Sequence, residues 1–488
     1  MRVIGNVPLS SDKAEITAVA SGALATGDTV VVNSDGTVSV AAETGSSEVI
    51  GTPTVFEAAN TVYSNASYDA NAQKVVIAYR DGGNSNYGTA VVGTVSGTTI
   101  SFGTPVVYYS AYMQECVIYY DPDAQKHVII YYNASGYGEA IVGTVSGTSM
   151  TFGSGVVFNA GSVEFLAMTY DTNADKIIIA YRDGGNSDKG TAIVGTVSGT
   201  SISFGSEVVF NNYGTSDVAL DYDANAQKVL IAYRDNNNSN YGTAIVGTVS
   251  GTSISFGTGV VYNSGNTTEN QVVYDPSSQK MVIVYRDDAN SGKGTAIVGS
   301  ISGTSVSFGT EVGFETSTYG VYIFFRPAYH AAAQKIVVAY RGNAFVTNYL
   351  DYVVGTVSGT SISFTSPSSV NASYSQYMSP IYDPNEEKIV IAYQDVGGSY
   401  YGTAVVLQAG YTSTNLTSEN FIGFAKHGYA DTQRATIQTG GAINKDQTGL
   451  TAGQTYYVQT DGSLSTTAGD PSVVAGTAIS STDLIVKG

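Results

Sequence analysis

Tyr68-Asp69-Ala70-Asn71-Ala72-Gln73-Lys74-Val75-Val76-Ile77-Ala78-Tyr79-Arg80 is the stretch on which the fold turns, because it recurs in varied form along the chain. Its lysine stands at Lys74, Lys126, Lys176, Lys228, Lys280, Lys335 and Lys388, seven copies spaced by 50 to 55 residues. A second signature, G-[TS]-[VI]-S-G-T followed by a short strand ending in Phe, places Phe102, Phe152, Phe204, Phe256, Phe308 and Phe364, six copies. Self-similarity at a fixed period marks a repeat architecture.

The fourth copy shows what one repeat contains. Residues 218–223 read as a short strand a, 224–227 as a turn, and 228–234 as a β-branched and aromatic strand b. A polar loop from Asp235 to Tyr241 leads into strand c at 242–249, and Ser250-Gly251 turns into strand d at 252–256, continuing towards Val261. Four short antiparallel strands in one such period make a β-propeller blade. Runs such as KVLIAY lack polar alternation, as expected of sheets covered on both faces.

The count of six against seven predicts how the ring closes. The last repeat supplies strands a, b and c, ending near Leu407, and then leaves the pattern. Residues 48–56 match 101–107 and form an outer strand without a parent. An all-β, seven-bladed propeller over 46–410 follows, with residues 48–56 as strand d of the seventh blade. Closure removes two exposed sheet edges.

Outside the ring, residues 24–39 align without gaps to 450–465, each reading as strand, Asp-Gly turn, strand. Residues 1–45 and 411–488 are therefore expected to form one small β domain with the propeller inserted between its halves. The chain enters the propeller at the start of a strand d and leaves at the end of a strand c. Both points lie on the face of the a–b and c–d turns, so the small domain is expected under that face. The b–c and d–a loops then point away from it.

Composition excludes several functions. The formal charge of −19 argues against nucleic acid and against an anionic membrane surface. No run approaches the length of a membrane helix, and the first residues do not read as a secretory signal, so the protein is expected to stay in the cytosol that made it or to leave by a route other than standard secretion, release by lysis being one. The single cysteine, Cys116, excludes an intrachain disulfide and reads as a small buried hydrophobe. His127, His330 and His427 stand in unrelated contexts and form no metal spacing. With no Trp, the S-x-D-x-G-x-T-W boxes of a sialidase-like propeller are absent, and no enzyme is expected. A glycosidase carboxylate pair on the outer face is the lesser alternative.

The repeat at 68–107 and the tail segments 420–441 and 449–488 resemble virion structural proteins of tailed phages, particularly marine ones. That resemblance implies a tail-fibre-like or capsid-decorating particle component at the virion surface. Its small domain would bind other virion proteins, and a homo-oligomer is compatible. The propeller would recognise a host-surface glycan or protein without catalysis; the alternative is a capsid decoration protein with the propeller as spacer.

Site residues follow from the outward loops. Arg80-Asp81, Arg182-Asp183, Arg234-Asp235 and Arg286-Asp287 end strand b, as sugar-binding groups or as latches ordering the b–c loop. The Asp and Lys flanking each a–b turn read as turn formers. The b–c loops mix Asn, Ser, Gly and Tyr as binding loops do. They contribute Asp81, Asn84, Tyr87, Asp235, Asn238, Tyr241 and Tyr400 as ligand candidates. Non-repeating aromatics add Tyr112, Tyr322, Phe345 and Tyr349, with Tyr109 and Met113 beside Tyr112. No cofactor is expected; Asp121-Pro122-Asp123 and 171–175 faintly resemble calcium loops but occupy a–b turns.

Overall fold

The computed structural model describes residues 14–314, 325–342, 349–469 and 471–487. It is all-β, and among the described residues the helical segments are single 3-10 turns at Gly184–Asn186 and Asp288–Asn290. No helix among the described residues is long and apolar enough to cross a membrane. The chain divides into two compact units, one of residues 47–409 and one drawn from 1–46 and 410–488.

In the larger unit every repeat lysine opens a strand: Lys74–Asp81, Lys126–Tyr132, Lys176–Asp183, Lys228–Asp235, Lys280–Asp287, Lys335–Arg341 and Lys388–Asp395. These b strands are the middle of their sheets, and Val75 through Tyr79 are wholly buried because both faces are covered. Strand a pairs on one side, with Asp223 opposite Lys228, and strand c on the other, with Val229 opposite Gly247.

The outer strand differs from expectation. It is two pieces: Ser253–Phe256 pairs with the end of strand c, and the start of Val260–Asp275 pairs with its beginning. Gly257 marks the break, and a Cβ there would lie 1.9 Å from the Thr304 carbonyl oxygen in the next repeat's c–d turn. Gly51, Gly103, Gly153, Gly205 and Gly309 make the same approach to Thr98, Thr148, Thr200, Thr252 and Thr360. After Phe364 the glycine is replaced by Thr365, and there the following repeat has no c–d turn to meet.

The expected d–a loops are also corrected. Four crossings are unbroken strands, Thr54–Asp69, Val156–Asp171, Val208–Asp223 and Val260–Asp275. Residues 110–113 and 372–374 interrupt two others, and one falls outside the described residues.

Inner strands touch one another in cyclic order, from Thr54–Asp69 through Gln114–Asp121, Val156–Asp171, Val208–Asp223, Val260–Asp275, Phe325–His330 and Ser375–Asp383 back to the first. Their free edges are capped by side chains of the preceding inner strand. Ser379 Oγ accepts from Ala66 N at 2.9 Å, Asn65 Oδ1 from Ile118 N at 3.1 Å, and Asp221 Oδ2 from Tyr274 N at 2.9 Å. At the a–b turns the Tyr120, Tyr170, Tyr222, Tyr274 and Tyr68 hydroxyls lie against Asp69, Asp121, Asp171, Asp223 and Asp383 of the preceding repeat. Burial, then the carboxylate, raises these phenols, Tyr222 to about 12.

Each aspartate also forms its own turn: Asp223 Oδ1 accepts from Asn225 N at 2.9 Å and Ala226 N at 2.8 Å. Asp121 and Asp171 do the same, so the calcium-like stretches are turns. His330 replaces the aspartate once, and its Nδ1 accepts from Ala333 N at 3.2 Å. His127 is buried 3.4 Å from Asp69, and burial lowers its basicity.

Tyr401–Gln408 pairs with Val49–Ile50 and with the beginning of Thr54–Asp69, joining the last repeat to the first. Gly97 N donates to Glu386 Oε2 at 2.9 Å, which sets a c–d turn beside an a–b turn. Gln408 Nε2 donates to Ser47 O at 2.9 Å, so the chain enters and leaves this unit side by side.

The smaller unit holds two five-stranded sheets. One contains the hairpin Thr29–Val32 and Val38–Val40, the other Thr455–Val458 and Leu464–Ser465. Their turns match: Asp35 Oδ1 accepts from Thr37 N, and Asp461 Oδ1 from Ser463 N, both at 2.9 Å. Glu43–Ser46 pairs with Tyr411–Thr414, the segments flanking the insertion.

The inner strands enclose a cavity of about 660 Å³. Each described inner strand except Phe325–His330 carries a bulge whose leading residue has positive φ: Tyr63, Glu115, Phe165, Asp217, Glu269 and Tyr377. These non-glycine residues hold a conformation costing about 1 kcal/mol each, and all six line the cavity. Desolvation raises Glu115 to about 7 against the Leu166 amide, Arg326 and the Tyr132 hydroxyl, with Glu164 adding to the rise. Cys116 is buried, as expected, and its thiol is pushed up to about 12.

Asp223→Ala removes two turn hydrogen bonds and the acceptor facing Tyr274, and should lower unfolding stability by about 1–3 kcal/mol in urea titration. Glu115 binds its proton more tightly folded than unfolded. Its contribution to stability therefore falls as pH rises from 4.5 to about 7, and stays unfavourable above. Glu115→Gln should raise the melting temperature at pH near ~8 and barely change it near ~4; equal effects at both would contradict this.

Candidate functional site

The b–c loops are latched by the aspartates that end strand b. Asp81 is buried, and its Oδ1 accepts from Gly83 N at 2.9 Å and Asn84 N at 3.1 Å. Asp235 Oδ1 accepts from Asn237 N at 3.1 Å, and Asp287 Oδ1 from Ala289 N at 3.0 Å. These carboxylates accept from their own loop backbone, the arrangement a latch requires. Burial raises Asp81, with the two loop amides opposing it.

The other loop candidates scatter. Asn84, Asn238 and Tyr400 are exposed, Tyr87 and Tyr241 half-buried. Tyr349 is half-buried, and its carbonyl accepts from Gly342 N at 2.9 Å. Tyr322 and Phe345 lie outside the described residues. Of the aromatic group around Tyr112, Met113 is fully buried and Tyr109 packs 4.9 Å from the Tyr131 ring. Tyr112 alone of the three projects, 46% exposed.

The arginines beside those aspartates divide into two kinds. Arg182 Nη1 lies 3.1 Å from Glu164 and its Nε 2.9 Å from Asp188. Arg234 lies 3.4 Å from Asp217, and Arg286 3.2 Å from Asp288. Hydrogen bonding to Asp188 raises Arg182 further. Arg80 meets rings instead: its guanidinium carbon is 5.1 Å from the Tyr63 centroid and 5.5 Å from that of Tyr112. Nη1 donates to the Tyr112 hydroxyl at 3.3 Å. Tyr63 in turn lies 5.1 Å from Tyr377, and both line the cavity. A cation-aromatic arc thus runs from the exposed rim into the central opening.

Arg341 repeats the arrangement, with its guanidinium 5.0 Å from Tyr374 and Nη1 donating to that hydroxyl at 2.9 Å. Tyr112 and Tyr374 occupy the same place, three residues before the bulge residues Glu115 and Tyr377. Both sit in the two interrupted crossings, 110–113 and 372–374. Other repeats have Asn60, Ser162, Gly214 and Asn266 at that position. Sequence reasoning selected Tyr112 but missed Tyr63, Tyr374, Tyr377 and the arginines as one group. Aligning the repeats column by column would have isolated the two tyrosines; the stacking needed coordinates.

Among the described residues no group of three His, Cys, Asp or Glu side chains is placed to hold a metal ion.

No family model and no curated protein matches the sequence. Among solved structures, the BP39L lectin from Burkholderia pseudomallei aligns with a TM-score of 0.55 at 10% identity, over 73% of this chain and 98% of that one. The β-propeller domain of Cps50 (Swd1) from Myceliophteria thermophila gives 0.46 at 8% identity, over 73% and 99%. An Aleuria aurantia lectin variant in complex with Fucα1-6GlcNAc gives 0.41 at 11% identity, over 63% and 96%. The likeness to BP39L is one of fold, and this chain carries a β-propeller-like, all-β architecture.

Proposed function

We propose that residues 47–409 form a seven-bladed β-propeller that recognises a surface glycan, without catalysis, through the rim around Arg80. The blade count is supported by the cyclic order of the inner strands and by the pairing of Tyr401–Gln408 with strands that precede the first repeat lysine.

The observation that carries the glycan reading is the arc Tyr112, Arg80, Tyr63, Tyr377. Rigid rings supply flat apolar area for a sugar face, and a held guanidinium supplies directional donors to hydroxyls. The BP39L likeness adds that a lectin uses this fold; the chemistry of the rim is the stronger support. Placement on a phage virion, through the smaller unit, is proposed from the resemblance of the repeat and tail sequences alone.

Tyr112→Ala should weaken binding to any glycan the protein retains on a printed panel by about tenfold or more, with an unchanged melting temperature. Failure of the wild type to retain any member, together with failure to bind host cells, would end the glycan reading. Immunogold electron microscopy of particles tests the virion placement.

A further inference from the structure

Resting on that reading, we infer that the sugar recognised at Arg80 is acidic, bearing a carboxylate or sulfate. Arg80, Arg182, Arg234 and Arg286 all end strand b, and three of them are neutralised by carboxylates of their own repeat. Those carboxylates come from four places: Glu164 opposite the arginine on strand a, Asp217 at the bulge, Asp288 two residues after the arginine, and Asp188 six residues after.

Around Arg80 the same four places hold Val62, Tyr63, Gly82 and Asn86. All four of these places are neutral at Arg80. Register makes the equivalence firm, since Val62 faces Arg80 as Glu164 faces Arg182. Among the described residues no carboxylate lies within ion-pair reach of Arg80, and its Nε is buried without a hydrogen-bond partner.

This is unusual in a chain with 40 acidic residues against 21 basic ones. A guanidinium presents a planar fork that suits carboxylate or sulfate oxygens, and tyrosines on either side fix its plane. Tyr63 and Tyr112 hold Arg80 without an ion pair. An anion there gains a charge-assisted contact that the overall negative field does not offer elsewhere on the arginines of the third, fourth and fifth repeats. A neutral sugar would gain only ordinary hydrogen bonds.

The test uses the full chain and four oligosaccharide probes: oligogalacturonate, its methyl ester, a sulfated carrageenan fragment and neutral laminarin. Calorimetric titration of wild type should show tighter binding to a charged probe than to the ester or laminarin, weakening with salt. Arg80→Gln should lower that affinity by about tenfold or more, while Arg182→Gln, with the same loss of charge, changes it less than about twofold. Arg80→Lys, which keeps charge but not the fork, should fall between and guards against misfolding of the glutamine variant. Equal binding of charged and neutral probes, an indifferent Arg80→Gln, or an equal loss in Arg182→Gln would overturn the inference. If laminarin binds and Tyr112→Ala weakens it while Arg80→Gln does not, glycan recognition stands and acidity falls. Binding of none of the four overturns the acidity inference, while the glycan reading stands or falls on the printed panel and host cells.

Discussion

The larger unit depends on how one repeat is tied to the next at its innermost strand. An inner strand has a paired edge within its own sheet and a free edge towards its neighbour, where backbone amides need acceptors. Ser379, Asn65 and Asp221 supply them across the boundary, and the tyrosine hydroxyls reach the preceding turn's aspartate. Each aspartate does two jobs, ordering its own turn and receiving a neighbour. The substitution His330 shows the constraint by exception: an imidazole nitrogen forms the turn, and Tyr382 accepts from the Ala332 amide at 3.2 Å.

That repeated frame leaves certain positions free to vary. The bulge residue of the six bulged inner strands has positive φ in each, yet its side chain ranges from Tyr63 and Phe165 to Glu115 and Asp217. The frame fixes where these groups stand, and the sequence decides what stands there. The arginines ending strand b show the same division: an identical backbone site gives an ion pair in one repeat and an aromatic cradle in another. Asymmetry in a near-symmetric scaffold is where recognition can reside.

Much of this was legible in the residues. Seven lysines, six phenylalanines and the orphan strand before the first repeat are periodic signals, and periodicity survives in a one-dimensional string. The unbroken crossings were not legible, because Val260–Asp275 mixes apolar and polar residues as a loop would, and its pairing partners lie in two different sheets. The positive φ at Phe165 or Tyr377 was also hidden, since neither residue type favours it and tertiary packing imposes it. Tyr112 stood out as an irregularity, whereas Met113 beside it looked equally exposed and is core. Which of two adjacent apolar residues turns inward depends on a crossing whose path the sequence does not state.

The seam between Tyr401–Gln408 and the strands before the first lysine carries a consequence for biogenesis. The residues that complete the final sheet are made some 350 positions before their partner. Until that partner is made the early segment has no mate, and each finished sheet offers an open flank. Such a chain is exposed to premature association with its own copies until the seam closes; polar threonines and a glutamate stand along that leading stretch, residues of the kind that disfavour pairing between unpartnered strands.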